Sequence, residues 1–463
     1  MSDLNPLIIL GIGITVVIGM IVVLRINAFI ALITAAIVVS LLAPGELANK
    51  ISRVASEFGN TTAKIGIVIA MAAVIGRSLI ESGAADRIVR MFVRLLGEKR
   101  CTISLMSSGF VLSIPVFFDT VFYLLLPLAR SMHRQTKKSY LLLILAMGAG
   151  ASITHSLVPP TPGPLIIAGT LGIDLGTMIG IGLLVAVPTA IVMLLFIGRL
   201  ANRMEIPMRP LEGGRPEPAP LADDKLPGLL PSIMPIILPV LMISANTVAR
   251  TLAGRPDAGA GVIKAQRITA VIGDANLAML LAAAIAIIVL WRQRRPSRDE
   301  LAKVVESSLM SGGVIILITS AGGAFGKMLQ AAQMGPAVTN MIVGDSGGQI
   351  GGTHMLFIAF LVAFLIKFAQ GSSTVSMIAT SAMLAPLIVS KEALGYHPVY
   401  IATTIGFGAQ CGNWMNDSGF WIFAKMSGLT EVETLKTWTV TVSTLAVVGF
   451  LFSILFANVL PLV

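Results

Sequence analysis

Long unbroken runs of apolar residues constrain this chain more than any other feature. Isoleucine, leucine, valine and alanine dominate residues 7–24, 28–43, 173–198, 229–245, 269–291 and 438–460. Each run reaches or approaches the roughly 20 residues that a helix needs to cross a hydrocarbon core. A soluble protein could bury one such helix, but not a succession of them. In lipid no backbone N–H or C=O can be left unpaired, so a spanning segment is either a helix or a strand of a closed barrel. Barrel strands are short and alternate in polarity, which these runs do not. Only 12% of the 463 residues are charged, about half the usual soluble fraction, and the mean hydropathy is +0.89. The chain therefore reads as an all-α, multi-pass inner-membrane protein. Asp3 is the only charged residue before Arg25, so the first run lacks the basic start of a cleaved leader and reads as a span.

The formal charge of +10 would suggest nucleic acid in a soluble protein. Here the positive residues gather in connecting stretches, at Arg130–Lys138, Arg199–Arg215 and Arg292–Lys303, where they set orientation and imply no nucleic-acid partner. Placing all three in the cytoplasm leaves two spans between neighbouring stretches and both termini outside. The basic segment Arg250–Arg267 runs against that pattern. Cys101 and Cys411 form no redox or ligand pair, the four histidines lack zinc spacing, and no cofactor or metal is expected.

Residues 199–228 mix Pro, Gly, Arg and Glu and read as a cytoplasmic linker between two halves, 1–198 and 229–463. The halves resemble each other. IGRSLIESGAADRI at 75–88 lies over AFGKMLQAAQMGPAV at 324–338 with Gly76 on Gly326, and MGAGAS at 147–152 lies over FGAQCG at 407–412. Five spans per half would make the halves enter the membrane from opposite faces, as an inverted repeat. Each half also holds a segment too polar at its centre for a simple span. Residues 102–128 carry Ser113, Pro115 and Asp119, and residues 353–386 carry Lys367, Gln370, Gly371, Ser372 and Ser373. Both read as re-entrant helical hairpins. After each comes a helix that turn formers interrupt, at HSLVPPTPGP (155–164) and NWMNDSGF (413–420). Irregular backbone at membrane depth is tolerated where it lines a polar cavity, so these four breaks locate the expected site.

Intramembrane ionisable groups are costly and point to function or to a specific structural pairing. Asp119 either caps the second hairpin arm, with Thr120 assisting, or handles substrate or a proton. Lys367 either snorkels to an interface or pairs with a substrate carboxylate, Asp119 or Asp417. His155 is either a satisfied hydrogen-bonding group or a substrate or proton contact, and Asp417 either a cap or a ligand. The expected substrate residues are Ser113, Asp119 and Thr120 at the first tip and His155 and Thr161 at the first broken helix. At the second tip they are Lys367, Gln370, Gly371, Ser372, Ser373 and Thr374, and at the second broken helix Asn416, Asp417 and Ser418. Asp119, His155 and Asp417 are the candidates for carrying a coupling proton.

HSLVPPTPGP, AQGSSTVSM at 369–377, NDSGFW at 416–421 and LKTWTV at 435–440 resemble the signatures of the gluconate permease family, and the resemblance covers nearly the whole chain. It implies a proton-coupled importer of gluconate or a related sugar acid. It also implies membership of a wider group of dimeric ion transporters, each subunit having a scaffold and an elevator-like transport domain. Relative to the family pattern, Thr161 stands where a second histidine is common, Asn413 and Trp414 where serine and histidine are, and Asp119 where glutamate is. These departures leave room for another hydroxy or amino acid, such as glycerate or D-serine, and for sodium in place of the proton. An intramembrane enzyme built on an Asp119–Asp417 pair is the remote alternative.

Overall fold

The computed structural model describes residues 5–24, 26–204, 206–209, 225–254, 258–333, 352–388, 394–415 and 417–463. Among them every regular element is a helix, and seven helices are long and apolar enough to cross a membrane. Shorter apolar helices supplement them, including Ala28–Leu42, Cys101–Leu112 and Val399–Gly408.

In the first half, α1 (Pro6–Ile18) and α2 (Ala28–Leu42) precede a long α3 (Lys50–Glu81). The helix α4 (Ala84–Leu96) carries Asp86, Arg87, Arg90 and Arg94 among apolar residues. Next come α5 (Cys101–Leu112) and α6 (Phe118–Thr136), two arms separated by Ser113–Phe117, and then α7 (Tyr140–Leu157), α8 (Pro162–Leu171) and α9 (Leu175–Arg203). The break between α7 and α8 falls in the proline cluster, because Pro lacks the N–H that a continuing helix needs. Since α9 runs to Arg203, residues 199–203 of the expected linker are helical, and 210–224 lie outside the described residues.

The second half adds α10 (Leu229–Ala253), α11 (Ala260–Ile272) and α12 (Ala275–Arg294) before another long helix, α13 (Arg298–Ala331). Two arms follow, α14 (Gly352–Gln370) and α15 (Ser373–Leu384), then α16 (Val399–Gly408), α17 (Ser418–Ser427), the single turn α18 (Glu431–Thr434) and α19 (Val440–Val459). Between α14 and α15, Gly371 adopts φ +88°, a conformation that only glycine enters without strain. Its N–H closes onto the Lys367 carbonyl at 2.8 Å and ends α14 there.

The long helices α3 and α13 pack antiparallel. Thr62 meets Ser320 through their hydroxyls at 2.7 Å, whereas further along α3 Gly312 lies against Ala70 and Ala73. The arms α5 and α14 pack on α7 and α16, and the second arms cross between halves, α6 against α17 and α15 against α8. The α5–α7 contact is unusually close: a Cβ on Gly150 would fall inside van der Waals distance of the Met106 carbonyl, and one on Gly109 would meet the Met147 carbonyl. Close approach through small residues is how helices associate where lipid removes the hydrophobic drive.

At the start of α9, Asp174 accepts from the Thr177 amide (3.1 Å) and the Thr247 hydroxyl (2.6 Å) and pairs with Arg250, joining α9 to α10. Burial pushes its carboxyl up, but these hydrogen bonds and the Arg250 charge outweigh that and hold it below the ordinary carboxylate range.

Two predictions follow from this packing. Gly150→Val should lower stability by about 2–3 kcal/mol through overpacking, read as the unfolding midpoint in detergent, while Gly180→Ala, with open space around it, should leave the midpoint unchanged. Because the folded-state value of Asp174 is depressed, its contribution is present at neutral pH and is lost as pH falls through that value. Asp174→Asn should therefore lower the midpoint at neutral pH and flatten its decline below about pH 4.

Candidate functional site

An ammonium buried in a membrane protein needs a counter-charge, and Lys367 has one. Its side chain has no solvent exposure, its Nζ donates to the Gly371 carbonyl at 2.5 Å, and it pairs directly with Asp417. The lysine thus caps the end of α14, where carbonyls gather, and joins the α14–α15 break to the break before α17. Asp417 is held from three sides. Besides Lys367 it accepts from the Asn413 side-chain amide at 2.9 Å and, as N-cap of α17, from the Gly419 amide at 2.5 Å.

Beside this pair lies a cavity of about 280 Å³, walled by three of the breaks and by the last turns of α7. His155, two residues before the end of α7, lines it with Ser152 one turn earlier. Ser372, Ser373 and Thr374 contribute the start of α15, where the Ser372 hydroxyl accepts from the Val375 amide at 3.3 Å. Gln410, Asn413 and Asp417 come from the irregular stretch between α16 and α17, and Gly419 from the first turn of α17. The Asn413 side-chain oxygen is buried without a hydrogen-bond partner among the described residues, and Gln410 donates to the Ser156 hydroxyl. Two helix N-termini, those of α15 and α17, border the same space and make it hospitable to an anion.

The apolar wall is aromatic. Trp438 stacks on Phe423 with centroids 4.4 Å apart and on Phe118 at 5.4 Å, and Phe117 meets the His155 ring edge-on at 6.1 Å. Trp438 sits in a π-helical turn, Leu435–Thr439, the kind of local widening that often accompanies functional sites. Ile315 and Ile318 of α13 complete the wall.

Of the residues expected from sequence, His155, Ser372, Ser373, Thr374 and Asp417 meet at this cavity. Lys367 and Gly371 stand behind it. Thr161 is buried at the start of α8 and donates to the Val158 carbonyl at 2.7 Å, away from the cavity lining. Ser113 is buried at the end of α5, and Thr120 faces a separate chamber. Asp119 is the second residue of α6, after the N-cap Phe117; its side chain lies outside the described residues, as do those of Gln370 and Ser418 and all of Asn416. Trp414 stacks on Phe368 at 5.2 Å and donates to its carbonyl at 2.9 Å, outside the cavity lining. Sequence reasoning did not single out Ser152, Gln410 or Phe117. The signal for Gln410 was available, since a large amide replaces Gly150 in the repeat alignment.

Residues 5–459 match the model of the GntP family permeases. The chain is 30% identical to the inner membrane permease YgbN of Escherichia coli, over 98% of each chain. It is 31% identical to the gluconate permease of Pseudomonas aeruginosa, over 96% of each. Among solved structures it is similar to the Alcanivorax borkumensis YdaH transporter, with a TM-score of 0.63 and 15% identity over 94% of this chain and 98% of that one, a likeness of fold alone.

Removing one member of a buried ion pair strands the other. Lys367→Met should destabilise the protein by about 3–5 kcal/mol, and adding Asp417→Asn should recover much of that loss in detergent melts, as coupled neighbours do.

Proposed function

The chain belongs to the GntP permease family, and on that premise we propose that it is a secondary transporter that takes up gluconate or a closely related sugar acid with protons. The observation that carries the reading is the cavity at the meeting of the broken helices, where hydroxyls, amides and two helix N-termini converge beside one buried ion pair. In it Ser372, Ser373 and Thr374 hydrogen-bond the substrate, with the helix-end amides facing the carboxylate. The Asn413 oxygen, which lacks a partner among the described residues, accepts from a substrate hydroxyl. Asn416, Ser418, Gln370, Ser113, Thr120 and Thr161 remain proposed contacts of the moving site. Lys367 acts through Asp417 by holding its charge in place. Asp417, His155 and Asp119 are the proposed proton carriers, as costly ionisable groups at or beside the breaks.

The wider architecture is part of the proposal. The halves 1–198 and 229–463, joined by the 199–228 linker, form an inverted repeat in which α5–α6 and α14–α15 are re-entrant hairpins. The matching order of long helix, paired arms, broken helix and final span in each half supports it. So does the crossed packing of α6 on α17 and α15 on α8. A mobile domain of arms and broken helices moves against a scaffold in a homodimer, with both termini outside the cytoplasm. Neutralising buried charge by proton or substrate binding reduces the cost of moving that domain through lipid.

Proteoliposomes given an inward proton gradient should accumulate labelled gluconate, and Asp417→Asn should cut the rate by about 100-fold or more, as loss of a group used in each cycle does. Uptake that follows a sodium gradient alone would move the coupling ion to sodium; the absence of gluconate uptake, with glycerate or D-serine carried instead, would move the substrate.

A further inference from the structure

Two smaller chambers flank the central cavity along the antiparallel α3–α13 pair. One, of about 240 Å³, lies where Arg77, Thr120, Ser307 and Ser311 converge, and shares Phe117 with the central cavity. The other, of about 180 Å³, lies at the opposite end of the pair, with Glu57, Thr61, Lys64, Lys327 and Gln330 on its wall. Ile315 and Ile318, which line the central cavity, fall between the two stretches of α13 that line the chambers. From Thr61 to Arg77 is about 24 Å along a helix, most of a hydrocarbon core of about 30 Å.

The chambers carry cations at equivalent positions. Gly76 and Gly326 coincide in the repeat alignment, and the residue after each is basic, Arg77 and Lys327. The burial pattern around them is the same, with the glycine buried, the cation exposed and the next two residues buried. Each glycine brings its helix close to a neighbouring arm or break, Gly76 to Pro115 and Val116, and Gly326 to Ala382. Arg77 pairs with Glu81 at 2.7 Å, yet among the described residues no carboxylate lines its chamber. In the other chamber two lysines face one glutamate. Among the described residues both linings therefore hold more cations than carboxylates, in clefts whose apolar surroundings strengthen their reach.

We propose that these chambers are staging sites for the transported carboxylate, one on each face of the membrane, with Arg77 and Lys327 concentrating the anion ahead of the central cavity and Phe117 partitioning one chamber from it. This deepens the transporter reading by adding two sites outside the central one. It also gives the two halves equivalent roles in attracting substrate.

The test uses the full chain in proteoliposomes, on a Cys101→Ala, Cys411→Ala background, with Ser311→Cys reporting one chamber and Thr61→Cys the other. Anionic sulfonatoethyl methanethiosulfonate should modify each cysteine faster than its cationic trimethylammonium counterpart. Arg77→Gln should reduce that preference about fivefold at Ser311→Cys only, and Lys327→Gln should do so at Thr61→Cys only. Arg77→Lys and Lys327→Arg should preserve it, and the two cysteines should be reached from opposite faces. A preference indifferent to the charge at 77 and 327, or labelling of both cysteines from one face, would overturn the proposal. These readouts do not need gluconate to be the cargo, so failure of the transport reading would show separately, as absent uptake in the same vesicles.

Discussion

A lysine ammonium with no solvent exposure can persist as an ion only against an opposite charge, and here that charge is Asp417. The pair sets the relation between two interruptions that are far apart in sequence, the Gly371 break and the stretch before α17. Breaking hydrogen-bond ladders in lipid is expensive, and this site offsets much of the cost by having each break satisfy the other. Lys367 caps α14, Asp417 caps α17, Ser372 caps α15, and the free ends of the two following helices face a common space. Replacing the pair with apolar groups would be expected to leave a tolerably stable bundle, but without the charge and the aligned amides that a carboxylate substrate requires.

The membrane character and the positions of the breaks were legible because lipid leaves few solutions. A polar, glycine-bearing centre within an apolar stretch such as 353–386 has to turn or line water, and the arms α14 and α15 meet within two residues of Gly371. The boundaries were less legible. α6 continues to Thr136, beyond 128, and α9 continues through Arg199 to Arg203, because basic residues at a membrane surface do not stop a helix. The partner of Lys367 could not be chosen from sequence, where Asp119, Asp417 and a substrate were equally open; only packing of α14 against the 409–417 region selects Asp417.

Side-chain direction was the other limit. α7 is buried on nearly every face, so apolar periodicity cannot say which side of it meets a cavity. That hid Ser152, while Thr161, the seventh residue of an apparently functional motif, donates to the Val158 carbonyl of the local turn. Gln410 was similarly concealed in a glycine-rich stretch that reads as helix packing. The departures from the family pattern at Thr161 and Trp414 fall outside the cavity lining. Asn413 is the departure that reaches it, so substrate selectivity is to be sought at its unpartnered oxygen before the other two.

The central claim is that the cavity between His155, the start of α15 and Asp417 is where the organic acid binds. A cryo-electron microscopy structure of the protein in lipid nanodiscs with saturating gluconate tests it most directly. The account predicts ligand density between the Ser372–Thr374 turn and Asn413, its carboxylate towards the helix N-termini, with Lys367 still on Asp417. Density lodged elsewhere while this cavity stays empty, or a carboxylate that displaces Asp417 from Lys367, would contradict it.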